Sequence, residues 1–423
     1  MTSALDAQRS TTLDLGPARA LSCRECGHQT PLAPEFACAE CFGPLEVAYE
    51  FGNITRADIE AGPRSIWRYR GLLPVPSDVD AFPNTDPGLT RLVKADRLAA
   101  ALGVRSLWVK DDTGNPTHSF KDRVVAVALA AARELGFKVL ACPSTGNLAN
   151  AVAAAAARAG WDSVVLVPSS LEKAKILTSA VYDGSLIAID GNYDDVNRLA
   201  TELAAEHEDW AFVNVNVRPY YAEGSKTLGY EVAEQLGWRL PEQVVIPVAS
   251  GSQLTKVDKA FREFGELGLV EATPYRIFGA QATGCSPVSA AFKAGSDVIA
   301  PVKPDTIARS LAIGAPADGP YVLDAVRRTG GAVEDVTDAE VVEGIRLLAR
   351  TEGIFAETAG GVTVATAKKL FESGLLDRDA ETVLLITGDG LKTLDAVQDH
   401  VGPLATVPPT AAAVHEALAR KQK

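Results

Sequence analysis

The chain has 423 residues, 47% of them apolar and 22% charged, and a formal net charge of −13. That length is long for one domain and that composition buries a sizeable core, so two α/β domains with a small appendage are expected. The acidic balance repels nucleic acid, and no stretch offers the roughly eighteen uninterrupted apolar residues of a membrane span.

Residues 1–20 are polar and irregular, which predicts a flexible lead, and their Asp6, Arg9, Asp14 and Arg19 do not read as a signal peptide. Residues 21–50 carry four of the six cysteines. Cys23-Arg-Glu-Cys26 and Cys38-Ala-Glu-Cys41 are two C-x-x-C knuckles with eleven residues between them, a spacing that can close a tetrahedral zinc site. A segment this short has too little core to hold itself, so a bound metal would supply folding energy. The plainer alternative is a ribbon that keeps its shape without metal. Four thiolates leave no open coordination position, so stability rather than catalysis is expected of it. Cys142 and Cys285 stand alone, and this thiol usage fits a reducing cytoplasm better than a disulfide framework.

Residues 51–110 read as a loop-rich approach, with Pro, Gly and Asp concentrated at 74–88. From about residue 104, short β-branched strands alternate with Ala-rich helices. Strands are predicted at 105–109, 138–142, 163–167, 185–189, 243–248, 275–280 and 382–387. Helices are predicted at 122–135, 148–159, 171–182, 193–206, 224–236, 253–266, 338–351, 361–373 and 411–420. Continuous apolar strands alternating with helices argue for parallel sheets covered on both faces.

Four loops follow predicted strands and carry reactive or anion-binding residue types. Asn115-Pro-Thr-His-Ser-Phe-Lys121-Asp-Arg123 leads into an apolar helix. An amine at a helix N-terminus meets the positive end of the dipole, which favours the neutral form that a covalent bond to a carbonyl cofactor requires. Ser144-Thr145-Gly146-Asn147 opens the next helix, where small polar groups and backbone N–H groups can hold a carboxylate and an Asn can bond a ring hydroxyl. Ala249-Ser250-Gly251-Ser252-Gln253 has the position and composition of a phosphate loop. Thr387-Gly-Asp-Gly390 ends the last strand with a hydroxyl free to face a cleft. Singly, each is more often a plain turn or a surface lysine; together, on parallel strands, they mark a ligand site beyond the strand carboxyl ends.

The lysine segment resembles the cofactor-lysine motif of fold-type-II pyridoxal-phosphate enzymes, and most closely that of threonine synthases. STGN at 144–147 resembles their asparagine loop, and VASGSQLT at 248–255 occupies the place of their phosphate loop. Tyr220–Glu231, TGDGLK at 387–392 and the ribbon followed by Gly43-Pro-Leu-Glu-Val47 are also similar to threonine-synthase segments. The resemblance covers roughly residues 20–400. It implies two three-layer α/β domains of the tryptophan-synthase-β-like kind plus a zinc-ribbon-like segment at 21–50, with a large domain at 51–124 and 223–423 and a small one at 125–222.

The resemblance also implies roles. Lys121 would form the internal aldimine with pyridoxal 5'-phosphate and shuttle protons. Phe120 would pack against the ring, Asn147 would bond its hydroxyl, Thr387 would meet its nitrogen, and residues 249–253 would hold its phosphate. The implied substrate is O-phospho-L-homoserine, its carboxylate near Ser144, Thr145 and Gly146 and its phosphate near Lys110, Asn216, Arg218 or Lys226. The implied activity is that of a carbon–oxygen lyase giving threonine and phosphate. Leu148, Tyr221 and Asp389 depart from residues frequent in the family. A β-replacing, cysteate-synthase-like relative using O-phosphoserine, a serine or threonine dehydratase, and a zinc-ribbon binding protein with a degenerate enzyme body are the competing readings. The partner expected is a small molecule in the cytoplasm, and a homo-oligomer is compatible with that.

Overall fold

The computed structural model describes residues 13–421 apart from 145, 172 and 192, and leaves the side chains of Asp194 and Lys421 aside. Among the described residues three sheets form. The first is antiparallel and N-terminal, with strand order Gln29–Thr30, Ala18–Cys23, Leu45–Tyr49. The second has six strands, in the order Val333–Val336, Arg276–Ala282, Gln243–Pro247, Glu381–Ile386, Ser106–Asp111, Arg91–Lys94; it is parallel except for the last strand. The third is parallel, with order Ser185–Ile189, Asp162–Pro168, Val139–Pro143, Trp210–Phe212.

Each of the seven predicted strands is present to within two residues. Their apolar runs are buried on both faces: every residue of Gln243–Pro247 is buried, and so are all of Glu381–Ile386 after the first. Helices supply that cover, as parallel sheets require. The helix Thr358–Glu372 packs Val362, Val364 and Ala367 in one cluster with Phe278 and Leu384 of the six-stranded sheet. Lys121–Glu134 and Asn147–Ala159 are almost wholly buried because their faces are alanine and valine, small enough for close approach on every side.

The flexible lead expected over 1–20 is corrected where it is described. Leu15 and Ala18 are buried, and the Asp14 carboxylate accepts bonds from the Ser77 backbone N–H (2.9 Å) and hydroxyl (2.6 Å). Residues 1–12 lie outside the described residues. The helix predicted at 224–236 is present as Lys226–Gln235, and a short helix not predicted, Arg218–Glu223, precedes it. The ribbon is not a free appendage. Leu21, Leu45 and Val47 share one apolar cluster with Val124, Val125 and Tyr220 of the main body.

Candidate functional site

A cavity of about 360 Å³ opens at the carboxyl ends of the parallel strands of both larger sheets. Lys121, Ser144, Asn147, residues 249–253, Arg218 and Thr387 line it. This is where open α/β sheets bind ligands, because strand-end loops and helix N-termini converge there.

Lys121 opens the Lys121–Glu134 helix. Its loop is stitched to the end of the Glu381–Ile386 strand: Phe120 N–H donates to the Thr387 carbonyl (2.9 Å) and Asp389 N–H to the His118 carbonyl (3.0 Å). The rest of the motif is scaffold. Asp122 accepts from the Thr117 N–H and hydroxyl at 2.8 Å each. Arg123 is fully buried and donates to Asp112 (2.8 Å) and to Glu231 (2.5 and 2.8 Å). The Lys121 Nζ donates to the Tyr221 hydroxyl at 3.0 Å, and the Phe120 ring lies 4.6 Å from Nζ. Desolvation by the surrounding protein brings the Lys121 amine down to about 8, against an opposing pull from the Glu357 carboxylate. Burial therefore favours the neutral form that the helix start favours as well.

The Asn147 amide donates to both oxygens of Glu357 (3.0 and 2.9 Å). Glu357 is buried at the start of the Thr358–Glu372 helix, and burial raises its carboxyl above the usual range while Asn147 and three lysines oppose that. The Ser144 hydroxyl accepts from the Gly146 and Ala149 N–H groups (3.0 and 2.9 Å). Gly146 sits at φ +136°, and a Cβ there would meet the Lys175 side chain at 2.5 Å, so only glycine fits. Thr145 lies outside the described residues.

Gly251 (φ +99°) lets the 249–253 loop fold tightly onto its neighbour: a Cβ would stand 2.7 Å from Val322 and 3.1 Å from Asp318. The fifteen-residue helix Ser252–Glu266 begins there and turns its unpaired N–H groups toward the cavity.

The cavity residues fit a polar ligand. Asn147 Oδ1, Asn214 Oδ1, Gln253 Nε2 and Ser310 Oγ belong to its lining and are buried without a hydrogen-bond partner. Each such atom costs about 1–3 kcal/mol unless a ligand satisfies it. A phosphorylated aromatic aldehyde matches the donor set: a lysine beside an aromatic ring, an amide, a hydroxyl at Thr387, and a helix N-terminus for the phosphate.

Three expected phosphate-binding residues are corrected. Lys110 does not line the cavity; its amine is buried on the Glu231 carboxylate (2.6 Å), the Thr90 carbonyl (2.8 Å) and Gln235 (2.9 Å). Lys226 is buried likewise, between the Leu72 carbonyl (2.8 Å), Glu223 (2.9 Å) and Glu263 (3.1 Å). Asn216 turns back to donate to the Trp210 carbonyl (3.0 Å), because residues 213–217 form a turn and not a strand. Asn214 lines the cavity instead, next to Arg218. Glu357, Tyr221 as the lysine's partner, and Asn214 are the site residues that sequence reasoning missed. Glu357 precedes a helix start in a Thr-Ala-Gly-Gly run, which is the one signal that could have found it.

The four ribbon cysteines converge, with all Sγ atoms within 4.8 Å of one another. The separations Cys23–Cys41 (3.4 Å), Cys26–Cys38 (3.8 Å) and Cys26–Cys41 (3.4 Å) exceed a disulfide and suit thiolates about 2.3 Å from one zinc ion. No helix among the described residues is long and apolar enough to cross a membrane.

Comparison with known proteins bears on the same residues. The family profile described as pyridoxal-phosphate dependent enzyme matches residues 84–388. The threonine synthase of Methanosarcina acetivorans is 37% identical over 409 residues, 95% of this chain and 99% of that protein. The threonine synthase of Methanocaldococcus jannaschii is 37% identical over 380 residues, 88% and 93% of the two chains. Among solved structures, the processed threonine deaminase isoform 2 from Solanum lycopersicum superposes with a TM-score of 0.62 at 21% identity, covering 76% of this chain and 91% of that one. Maize serine racemase gives 0.61 at 20%, covering 79% and 94%. These two likenesses concern the fold.

Proposed function

The chain belongs to the threonine synthases, within the pyridoxal-phosphate dependent enzymes, and we propose that it converts O-phospho-L-homoserine and water to L-threonine and phosphate. The observation that carries this reading is the cavity that gathers Lys121, Asn147, the 249–253 loop, Thr387 and Arg218 at the strand ends of both sheets.

Pyridoxal 5'-phosphate, when bound, supplies an electron sink for negative charge developing on substrate carbons. Lys121 would hold it through Nζ, and the same amine is the group placed to take the proton from the substrate α-carbon and to return protons along the chain. The Tyr221 hydroxyl, 3.0 Å away, aims Nζ. Phe120 would pack on the ring, Asn147, its amide fixed by Glu357, would face the ring hydroxyl, and the Thr387 hydroxyl would meet the ring nitrogen. The N–H groups of 249–253 would hold the cofactor phosphate. Ser144, Thr145 and Gly146 take the substrate carboxylate, and Arg218 with Asn214 takes its phosphate. The division into a large domain (51–124 and 223–423) and a small one (125–222) is part of the proposal, supported by the separate six- and four-stranded sheets. So are a cytoplasmic location, a small molecule as the partner to the exclusion of nucleic acid and membrane, and a structural zinc in the ribbon.

Borohydride reduction of the holoenzyme followed by peptide mapping tests the lysine assignment. The cofactor is expected on Lys121, and a tag on Lys110 or Lys226 would refute it. Lys121→Ala removes turnover but leaves the phosphate contacts. Lys121→Arg fails as well, since a guanidinium stays protonated.

A further inference from the structure

The cysteine ribbon touches the cavity at Phe36 and comes up behind Arg218, a lining residue, at a second point. Phe36, between the knuckles, stands in the cavity wall. Arg24, inside the first knuckle, reaches the same region through one carboxylate. Its guanidinium lies 3.5 Å above the Tyr321 ring, and the Tyr321 hydroxyl donates to Glu25 next door. Arg24 Nη1 donates to Asp318 Oδ1 at 3.4 Å, and the other oxygen of that carboxylate accepts from Arg218 Nη2 at 2.7 Å. Asp318 is nearly buried and is fixed from a third side, its backbone N–H donating to the Ser250 carbonyl at 2.9 Å. It precedes the Gly319–Arg328 helix yet makes no capping bond, its carboxylate being turned to the arginines.

Among these three groups, two guanidinium groups on one carboxylate leave one positive charge in excess beside the cavity; Glu46 and Lys256, which also act on Arg24, pair with each other. Without Arg24, Asp318 and Arg218 would form a neutral pair, and an incoming phosphate dianion would meet the carboxylate as much as the cation.

We infer that Arg24 is a positioning residue for the substrate: by sharing Asp318 it keeps Arg218 electrostatically available to the substrate's phosphate, so the ribbon is a working part of the substrate site. This rests on the assignment of Arg218 to that phosphate. The ribbon then does more than stabilise, which a role confined to zinc-dependent folding does not provide.

The test uses the holoenzyme, with steady-state kinetics on O-phospho-L-homoserine, competitive inhibition by inorganic phosphate, and the thermal midpoint of each variant. Arg24→Gln is expected to raise KM and the phosphate inhibition constant about tenfold while kcat stays within about twofold, and Arg24→Lys to recover most of the loss. In an Arg218→Gln background, Arg24→Gln should add nothing, since both act on one contact. A ribbon that only staples the fold predicts a lowered thermal midpoint with both constants within about twofold of wild type, and that result overturns the inference. So does a multiplicative effect of the two substitutions. If Arg218→Gln alone leaves both constants unchanged, the Arg218 assignment is wrong and the inference falls with it. That outcome is distinct from one in which Arg218→Gln acts and Arg24→Gln does not. Should Arg24→Gln fail to fold, Tyr321→Leu removes the ring beneath Arg24 together with the hydroxyl bond to Glu25, and Tyr321→Phe removes that bond alone: a rise of about threefold in the phosphate constant for the leucine variant over the phenylalanine variant supports the inference, and no difference overturns it.

Discussion

At the scale of single residues, Lys121 stands out because its surroundings change its chemistry. With the amine brought down to about 8, about a tenth of it is neutral at pH 7, against about one part in three thousand for an ordinary lysine. Only the neutral amine attacks a carbonyl. Covalent capture of pyridoxal phosphate by the apo chain should therefore quicken about tenfold per pH unit up to pH 8 and then level off. Stopped-flow absorbance between pH 6 and pH 9.5 reads this directly. A rate still climbing tenfold per unit at pH 9.5 would mean that the site does not perturb the amine. The sequence showed Lys121, Asn147 and Thr387 because each sits in a loop whose neighbours announce it. Glu357 and Tyr221 were illegible for the opposite reason. The Thr-Ala-Gly-Gly run after Glu357 marks a helix start, but nothing local says which partner folding brings: Asn147 for Glu357 and Lys121 for Tyr221, 210 and 100 residues away respectively.

Elements divide in the same way. The central strands of both sheets were readable because burial on two faces demands an unbroken apolar run. Arg91–Lys94, Trp210–Phe212 and Val333–Val336 escaped notice, and all three are sheet edges. RLVK and VEDV are short and carry charge where a central strand carries valine, and Trp210–Phe212, though buried, has three residues, too few to show a pattern. The loop at 249–253 is an element whose shape depends on one residue. Gly251→Ala forces a left-handed backbone on a residue with a Cβ and drives that Cβ into Val322 and Asp318. The chain should still fold, with cofactor affinity lowered about tenfold. Unchanged affinity in a fluorescence titration would show that this loop does not hold the cofactor phosphate.

For the whole molecule, the separate sheets and the ribbon followed from the order of motifs. How the ribbon is attached did not follow, because the attachment depends on Leu21 and Val47 packing against a helix a hundred residues later. The same long-range packing misplaced Lys110 in the sequence reading: a lysine at a strand end looks available, but here it neutralises Glu231 beneath the catalytic loop together with Arg123. Metal analysis should find one zinc per chain. Cys23→Ser should lose it and lower the thermal midpoint; zinc retained in that variant, or absent from both, would refute a metal role for the quartet.

The central claim, that this cavity makes threonine from a γ-phosphorylated amino acid, is tested most directly by measuring phosphate release and threonine formation together. O-phospho-L-homoserine and O-phospho-L-serine should be offered in parallel to the same holoenzyme. Phosphate and threonine are expected in equal amounts from O-phosphohomoserine, with negligible turnover of O-phosphoserine. Phosphate released from O-phosphoserine alone, with no threonine from either compound, would contradict it and favour a β-replacing enzyme.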